Sequence, residues 1–210
     1  MGALIENQSL TEIANSALAG IGDGMIESLY DDNNGKAKIC RLLLNQCMRE
    51  VQGHASACWS ELEAYEELVR NQQAYCKDTY TYNLPHECLS VKWVRDCDRQ
   101  IIPYRISLRS LKTPKEAKYI CYVRFSDNPE DWSTELKSCV TGLLSAKLVG
   151  AVLKDYAGMR QAVEGFWQAE FPRWAGNRNN ASNTPIPGMD AELSAMYGED
   201  PHTILMNKDW

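Results

Sequence analysis

Three clusters of residues in this chain have the types and spacing for chemistry. The first is His86-Glu87-Cys88, inside the stretch YTYNLPHECLSVKWV that spans residues 80–94. It sets a base, a carboxylate and a thiol side by side, the raw material of a reactive cysteine or of one corner of a metal site. A nucleophilic thiol needs a base oriented by a third group and surroundings that favour the thiolate, and such partners ordinarily come from distant parts of a chain. Only three histidines occur, one of them His202 near the C-terminus. The corner therefore reads as a turn between two extended runs, with the Glu87 carboxylate accepting backbone N–H bonds and Cys88 at an edge or on the solvated side of the second run.

The second cluster is Cys40, Cys47 and His54, spaced by seven residues so that they would align along one helix face as ligands. No C-x-x-C accompanies them, and buried small side chains are the commoner fate of such a stripe. The third is Glu61, Glu63, Glu66 and Glu67, paired carboxylates of the kind a hydrolase uses; Asp31/Asp32 and Glu130/Asp131 are similar pairs. Sequence-adjacent acids are ordinarily solvated charge. Phosphate-binding loops, dinucleotide fingerprints, the G-x-S-x-G elbow and H-E-x-x-H do not occur. No catalytic residue, cofactor or metal is expected.

Cations recur instead at Lys92, Arg95, Arg99, Arg105, Arg109, Lys112, Lys115, Lys118 and Arg124. Residues 85–128 hold nine Lys/Arg against five Asp/Glu, whereas residues 1–78 hold six against twelve, and the whole chain nets −6. A basic segment spread over strands in an acidic protein suits non-specific contact with phosphate, not the reading of a DNA sequence. Opposite signs on two parts of one chain also suit a contact between them, within the chain or between neighbouring copies.

The elements that position these residues change period along the chain. Ser9-Leu10-Thr11-Glu12 fits a capping box, and Leu10, Ile13, Ala14, Ala17, Leu18 and Ile21 recur at helical spacing. A helix is predicted over 9–22, ended by Gly22 and Gly24. A second is predicted over 36–52, with Ala37, Cys40, Leu44, Cys47, Met48 and Val51 as its stripe, and a third, thin in apolar residues, over 60–70. Between 79 and 125 the period falls to two. Tyr80, Tyr82 and Leu84 share a face, as do Val91 and Trp93, and then Tyr119, Cys121, Val123 and Phe125. RQIIPYRISL adds a run whose Pro103 argues for an edge.

These runs predict one small antiparallel sheet. Helical spacing returns over 130–154, introduced by Pro129, and over 156–171, closed by Pro172. Gly142, Ala146 and Gly150 recur every four residues, a smooth ridge on which another helix can lie closely, in the same bundle or in an adjacent subunit.

The fold class expected is α+β, a mainly helical bundle with a small antiparallel β insertion over residues 1–175, followed by an extended C-terminal arm over 176–210. That arm is rich in Asn, Pro and Gly and short of core formers until Ile204, Leu205, Met206 and Trp210. Fully extended it would reach about 115 Å, enough to dock apolar residues on another protein. Eight cysteines without a secretory leader read as reduced thiols of a chain made in a cytoplasm. The longest apolar stretch, residues 139–153, carries Lys147 and falls short of the roughly 20 residues a membrane crossing needs. No span is predicted.

Four segments, taken in order, resemble a known family. They are LTEIANSALAGIGDGMIESLYDDNNGKAKICRLLLNQCMREV, ACWSELEAYEEL, YTYNLPHECLSV and YICYVRFSDNPEDWSTELKSCVTGLLSAKLV. Together they resemble the tail tubular protein A, or head-to-tail adaptor, family of short-tailed bacteriophages, over about residues 9–155. The family pattern has Ile-x-Ser-Leu after the first helix (Ile26 to Leu29 here), a Cys-bearing helix leading to a Trp, a Tyr-x-Tyr-x-Leu-Pro-x-Asp-Cys-Leu-x-Val strand pair, and Asp-Pro-x-x-Trp before a small-residue helix. Here Glu87 stands for the usual Asp, Ser90 for a common Arg, and Asn128 for the Asp before Pro129.

The resemblance implies a virion protein of the tail neck, made in the host bacterial cytoplasm. It would form a homo-oligomeric, typically twelvefold ring between the portal and the tail nozzle, part of the DNA channel, with possible contact to packaged DNA. The helical part and the C-terminal segment would meet the portal, and the β part the tail. Gly142, Ala146, Gly150, Trp174, Ile186, Ile204, Leu205, Met206 and Trp210 are then the interface candidates, and Lys92, Arg95, Arg99, Arg105, Arg109 and Arg124 the basic channel patch. The alternative is a virion-associated cell-wall hydrolase using Glu61, Glu63, Glu66 and Glu67.

Overall fold

The apolar stripe at the N-terminus becomes helix α1 (Gly2–Gly20), in which Leu10, Ile13, Ala14, Ala17 and Leu18 are buried. The computed structural model describes residues 2–54, 56–57, 59–70 and 80–175. The C-terminal arm, with Ile186, Ile204, Leu205, Met206 and Trp210, lies outside the described residues. Because α1 starts at Gly2, Ser9 lies within the helix and not at its start. The C-terminal end is a Schellman turn. Asp23 N–H donates to Leu18 O (3.0 Å) and Gly22 N–H to Ala19 O (3.0 Å), with Gly22 at φ +73, where a side chain would be strained.

The chain that follows is pinned back onto α1. Asn15 donates Nδ2 to Ile26 O (2.9 Å) and accepts Ile26 N–H on Oδ1 (2.8 Å), while Thr11 Oγ1 accepts Leu29 N–H (3.2 Å). These bonds seat Ile26 and Leu29 in the main core. Helix α2 (Gly35–Gln52) starts at Asn34, whose side chain accepts N–H from Lys36 and Ala37, and its predicted stripe is buried as read. After it Trp59 is fully buried and donates Nε1–H to Val51 O (3.0 Å).

The helix expected over 60–70 is instead a 3-10 turn (Ser60–Leu62) and strand β1 (Glu63–Glu67). Glu, Ala and Leu favour helix in isolation, but the propensity is worth only tenths of a kcal/mol per residue, and pairing with a buried neighbouring strand outweighs it. That neighbour is β6 (Tyr119–Arg124), which pairs antiparallel with β1 and with β3 (Cys88–Arg95). Strands β2 (Tyr80–Asn83), β4 (Arg105–Ser107) and β5 (Ser110–Thr113) form a second antiparallel sheet in the order β2-β5-β4. The single sheet expected is thus two. β4 is an edge strand, as Pro103 just ahead of it implied.

β6 is buried on both faces. Val123 joins the helical core, while Ile120 and Tyr122 on the opposite face join a second core with Tyr82, Val94, Ile102 and Leu111. The first sheet is therefore a wall shared by two cores.

Pro129–Asp131 forms a separate 3-10 turn capped by Asn128. Trp132 is extended and buried so that its Nε1–H can donate to Ser126 O (3.2 Å), which interrupts the helical run. Helix α3 (Thr134–Leu153) accordingly starts at 134 and not at 130, with Ser133 Oγ accepting Leu136 N–H. At 20 residues and a mean hydropathy of 1.5, α3 is long and apolar enough to cross a membrane, more than the stretch counted from sequence. In this fold Leu136, Val140, Leu143, Leu144 and Leu148 are buried in the bundle with α1 and α2.

Helix α4 (Tyr156–Gly165) continues through a π turn (Phe166–Glu170) into a last helical turn at residues 171–175. Pro172 does not close it. The π turn hands Phe171 N–H to Phe166 O, five residues back, which opens the helix where Pro172 has no N–H to give and its ring needs room.

Candidate functional site

Cys88 opens β3, an edge strand, and its side chain packs half-buried on the second core. Burial pushes its thiol up to about 11, so it stays protonated at neutral pH. The turn before it is held by Arg109, whose Nη2 donates to Pro85 O (2.6 Å) and His86 O (2.9 Å), and by Cys88 N–H on Pro85 O (3.1 Å). Glu87 contributes its backbone carbonyl, to Phe125 N–H (2.8 Å), while its side chain is exposed. The turn is thus held through its carbonyls by an arginine distant in sequence and not through its N–H groups by the Glu87 carboxylate, and the two runs that it joins belong to different sheets.

Cys40 and Cys47 are fully buried on the inner face of α2, and burial raises both thiols, Cys47 to about 12. His54 lies past the helix end, stacked on Trp167 (ring centroids 4.9 Å) and edge-on to Phe171 (4.5 Å). Among the described residues no three His, Cys, Asp or Glu side chains gather as metal ligands.

The acidic residues around β1 point different ways, because strand neighbours alternate in face. Glu61 accepts Ser133 N–H (3.2 Å), Glu63 accepts the Tyr65 hydroxyl (3.1 Å), and Glu66 accepts the Tyr122 hydroxyl on the other side of the strand; Glu67 is exposed. A hydrolytic pair needs two carboxyls across one bond, one of them held protonated. The alternation separates Glu66 from Glu63 and Glu67.

The basic residues do not form one stripe. Lys92 Nζ donates to Ala57 O (2.5 Å), Arg95 lies over the Trp93 ring (4.2 Å), Arg109 holds the turn, and Arg124 Nη2 is 3.7 Å from Asp131 Oδ2. Arg99 and Arg105 are exposed. Arg105 stands opposite exposed Lys112 across the β4–β5 pair. Like charges directly opposite on neighbouring strands destabilise a sheet, so this face favours an anionic or acidic cover.

The small-residue ridge of α3 is covered within the chain. A Cβ on Gly142 would lie 3.3 Å from Phe166 Cε2, and one on Gly150 only 2.5 Å from Met159 Sδ, with Ala146 buried between them. Gly142 and Gly150 therefore serve the close packing of α4 and the π turn on α3 within the chain, the first of the two approaches that the ridge allowed. Trp174, in the last described turn, is 37% exposed.

The hairpin between β4 and β5 holds what the sequence did not reveal. Its two-residue turn is Leu108-Arg109, with Leu108 at φ +56 and 97% exposed. Left-handed backbone at a leucine costs about 1–2 kcal/mol, and Gly or Asn is the usual occupant. The tip is fixed from behind: Leu84 N–H donates to Arg109 O (2.9 Å) while the Arg109 guanidinium grips the carbonyls of Pro85 and His86. Ile106 on β4, and Ile101 ahead of it, are exposed as well. No family model matches this chain, and no curated protein does.

Proposed function

We propose that the chain is a subunit of the head-to-tail adaptor ring of a short-tailed bacteriophage, a homo-oligomer that joins the portal to the tail nozzle, lines part of the DNA channel and catalyses nothing. The observation that carries this reading is that the residues of the resemblance are those that fix this fold. Ile26 and Leu29 are plugged into the main core by bonds from Asn15 and Thr11. Trp59 is buried against the end of α2. Leu84 to Cys88 pass the chain from one sheet to the other, and Asn128 caps the Pro129 turn as an Asp would, with Trp132 behind it. A likeness at such positions is a likeness of architecture, and the adaptor function follows from it by analogy.

Charge supports the analogy. Residues 1–78 are acidic and residues 85–128 basic, the distribution that lets heterologous contacts repeat from copy to copy until a ring closes. The C-terminal arm then threads onto the portal.

The test is an electron micrograph of the purified protein mixed with its portal. Rings seated on portal vertices are expected, and lone particles that ignore the portal would overturn the reading. Removal of residues 176–210 leaves a folded protein that no longer binds portal; unimpaired binding defeats the arm. A ring held by opposite charges loosens at about 1 M salt, where the screening length is about 3 Å.

A further inference from the structure

We infer that the β4–β5 hairpin seats its Leu108 tip on the α1–α2 loop of a neighbouring copy of this chain. The inference rests on the adaptor reading and supplies its ring with a specific contact. The hairpin side is basic and apolar: residues 99–118 hold six Lys/Arg against one carboxylate, Glu116, and present Leu108, Ile106 and Ile101 to solvent. The loop side is the complement. Residues 22–34 hold four carboxylates and no cation, and expose Met25 (72%) and Tyr30 (43%). Two of those acids are already matched, Asp23 with Lys36 (2.9 Å) and Asp32 with Arg41 (2.8 Å). Glu27 and Asp31 are exposed and join no ion pair among the described residues. They are the counterpart of the Arg105–Lys112 pair, whose mutual repulsion an acidic cover would relieve.

Both surfaces are preorganised, which limits the entropy lost on contact. Arg109 and Leu84 fix the tip from behind, and Asn15 and Thr11 fix the loop. The two-residue turn needs only left-handed backbone, which glycine would supply without strain, so a leucine placed there and 97% exposed is a side chain held out for a partner. The two surfaces also belong to different cores of one protomer, so one tip seated on one loop leaves a free tip and a free loop at the two ends of the pair, which a head-to-tail ring uses to close.

Leu108→Gly tests the tip without endangering the fold, since glycine accepts the turn freely. Its melting temperature should equal or exceed that of the wild type, while the protein concentration for half-assembly, read by sedimentation velocity, rises about tenfold or more, as for a buried anchor. Arg105→Glu with Lys112→Glu should weaken assembly similarly, and Glu27→Lys with Asp31→Lys on the same chain should restore it. Rings that form equally well from the Leu108→Gly and Arg105→Glu/Lys112→Glu proteins overturn the contact and leave the adaptor reading standing. Loss without rescue by the loop reversal assigns the hairpin to a different protein and also overturns it. A wild-type chain that stays monomeric with and without portal overturns both.

Discussion

Gln52, the last residue of α2, has no exposed surface and directs its whole amide at one residue. Nε2 donates to Ser126 O (2.8 Å) and Oε1 accepts Ser126 N–H (3.1 Å). Ser126 follows β6, the strand that both cores share, so this amide ties the helical bundle to the sheets. Gln52→Leu roughly keeps the volume and removes both bonds. Each is worth about 1 kcal/mol, and a buried N–H left at Ser126 without a partner adds about 1–3 kcal/mol. The Ser126 carbonyl keeps Trp132 Nε1 (3.2 Å). A loss of about 3–5 kcal/mol is expected in urea unfolding followed by circular dichroism.

Gln52→Glu separates the two bonds. A carboxylate still accepts Ser126 N–H, but its second oxygen faces the Ser126 carbonyl, and only the protonated acid can donate there. The folded form therefore holds its proton more tightly than the unfolded chain, whose glutamate titrates near about 4.3. Below that pH both states are protonated and the variant approaches wild type. Above it the unfolded state binds fewer protons, and stability falls by up to about 1.4 kcal/mol per pH unit until the folded carboxyl also ionises. Urea midpoints from pH 4 to 8 measure this. A Leu variant within about 0.5 kcal/mol of wild type, the range of ordinary surface substitutions, or a Glu variant whose deficit is independent of pH, would refute the account of Gln52.

Three further outcomes are expected. Gly150→Ala must displace Met159, at about 1–3 kcal/mol against a helix gain of about 1, whereas a Cβ on Gly165 meets nothing within 4 Å, so Gly165→Ala should raise the melting temperature and Gly150→Ala lower it. Burial holds the thiols of Cys47, Cys121 and Cys139 up at about 12, 11 and 12. Unfolded thiols ionise from about 8.5, so above that pH the unfolded state binds fewer protons and stability falls towards pH 11–12; thermal unfolding from pH 8 to 10 checks this, and Cys47→Ala should flatten the slope. In a chain with Cys58 and Cys76 replaced by Ser, a thiol reagent at pH 8 should label exposed Cys97 at once and Cys40, Cys47, Cys121 and Cys139 only with denaturant.

Where one local pattern decided the structure, the sequence was readable. The stripes of α1 and α2 are buried as spaced, because each helix needs only one apolar face. Segment 60–70 reads as helix because its residues favour helix and its partner, β6, lies more than fifty residues away; its pairing of Glu63 with Val123 leaves no mark in EAYEE. The division into two sheets was invisible for the same reason, since β2 and β3 are neighbours in sequence but pair with β5 and β6. The small-residue ridge was legible as a close approach but not as to whose helix approaches. Met159 and Phe166 settle that. The hairpin tip went unseen because SLRS contains no Gly or Asn, and a leucine in left-handed backbone contradicts the rule by which turns are found.

An adaptor subunit must hold dissimilar surfaces at a fixed separation, and the shared wall is how this chain would do so. If the helical bundle and the second sheet were joined only through a linker, each would move independently and a contact at the Leu108 tip would be poorly aimed. β6 prevents this by burying Val123 in one core and Ile120 and Tyr122 in the other, so neither core can shift without opening its partner. Gln52 on one side and the Trp132 indole on the other clamp the exit of that strand at Ser126. The tip is then positioned by the same packing that stabilises the bundle. A lesion at Gln52 should consequently weaken ring assembly as well as folding, whereas Leu108→Gly weakens assembly alone, so comparing the two variants separates a contact that is lost from one that is misdirected.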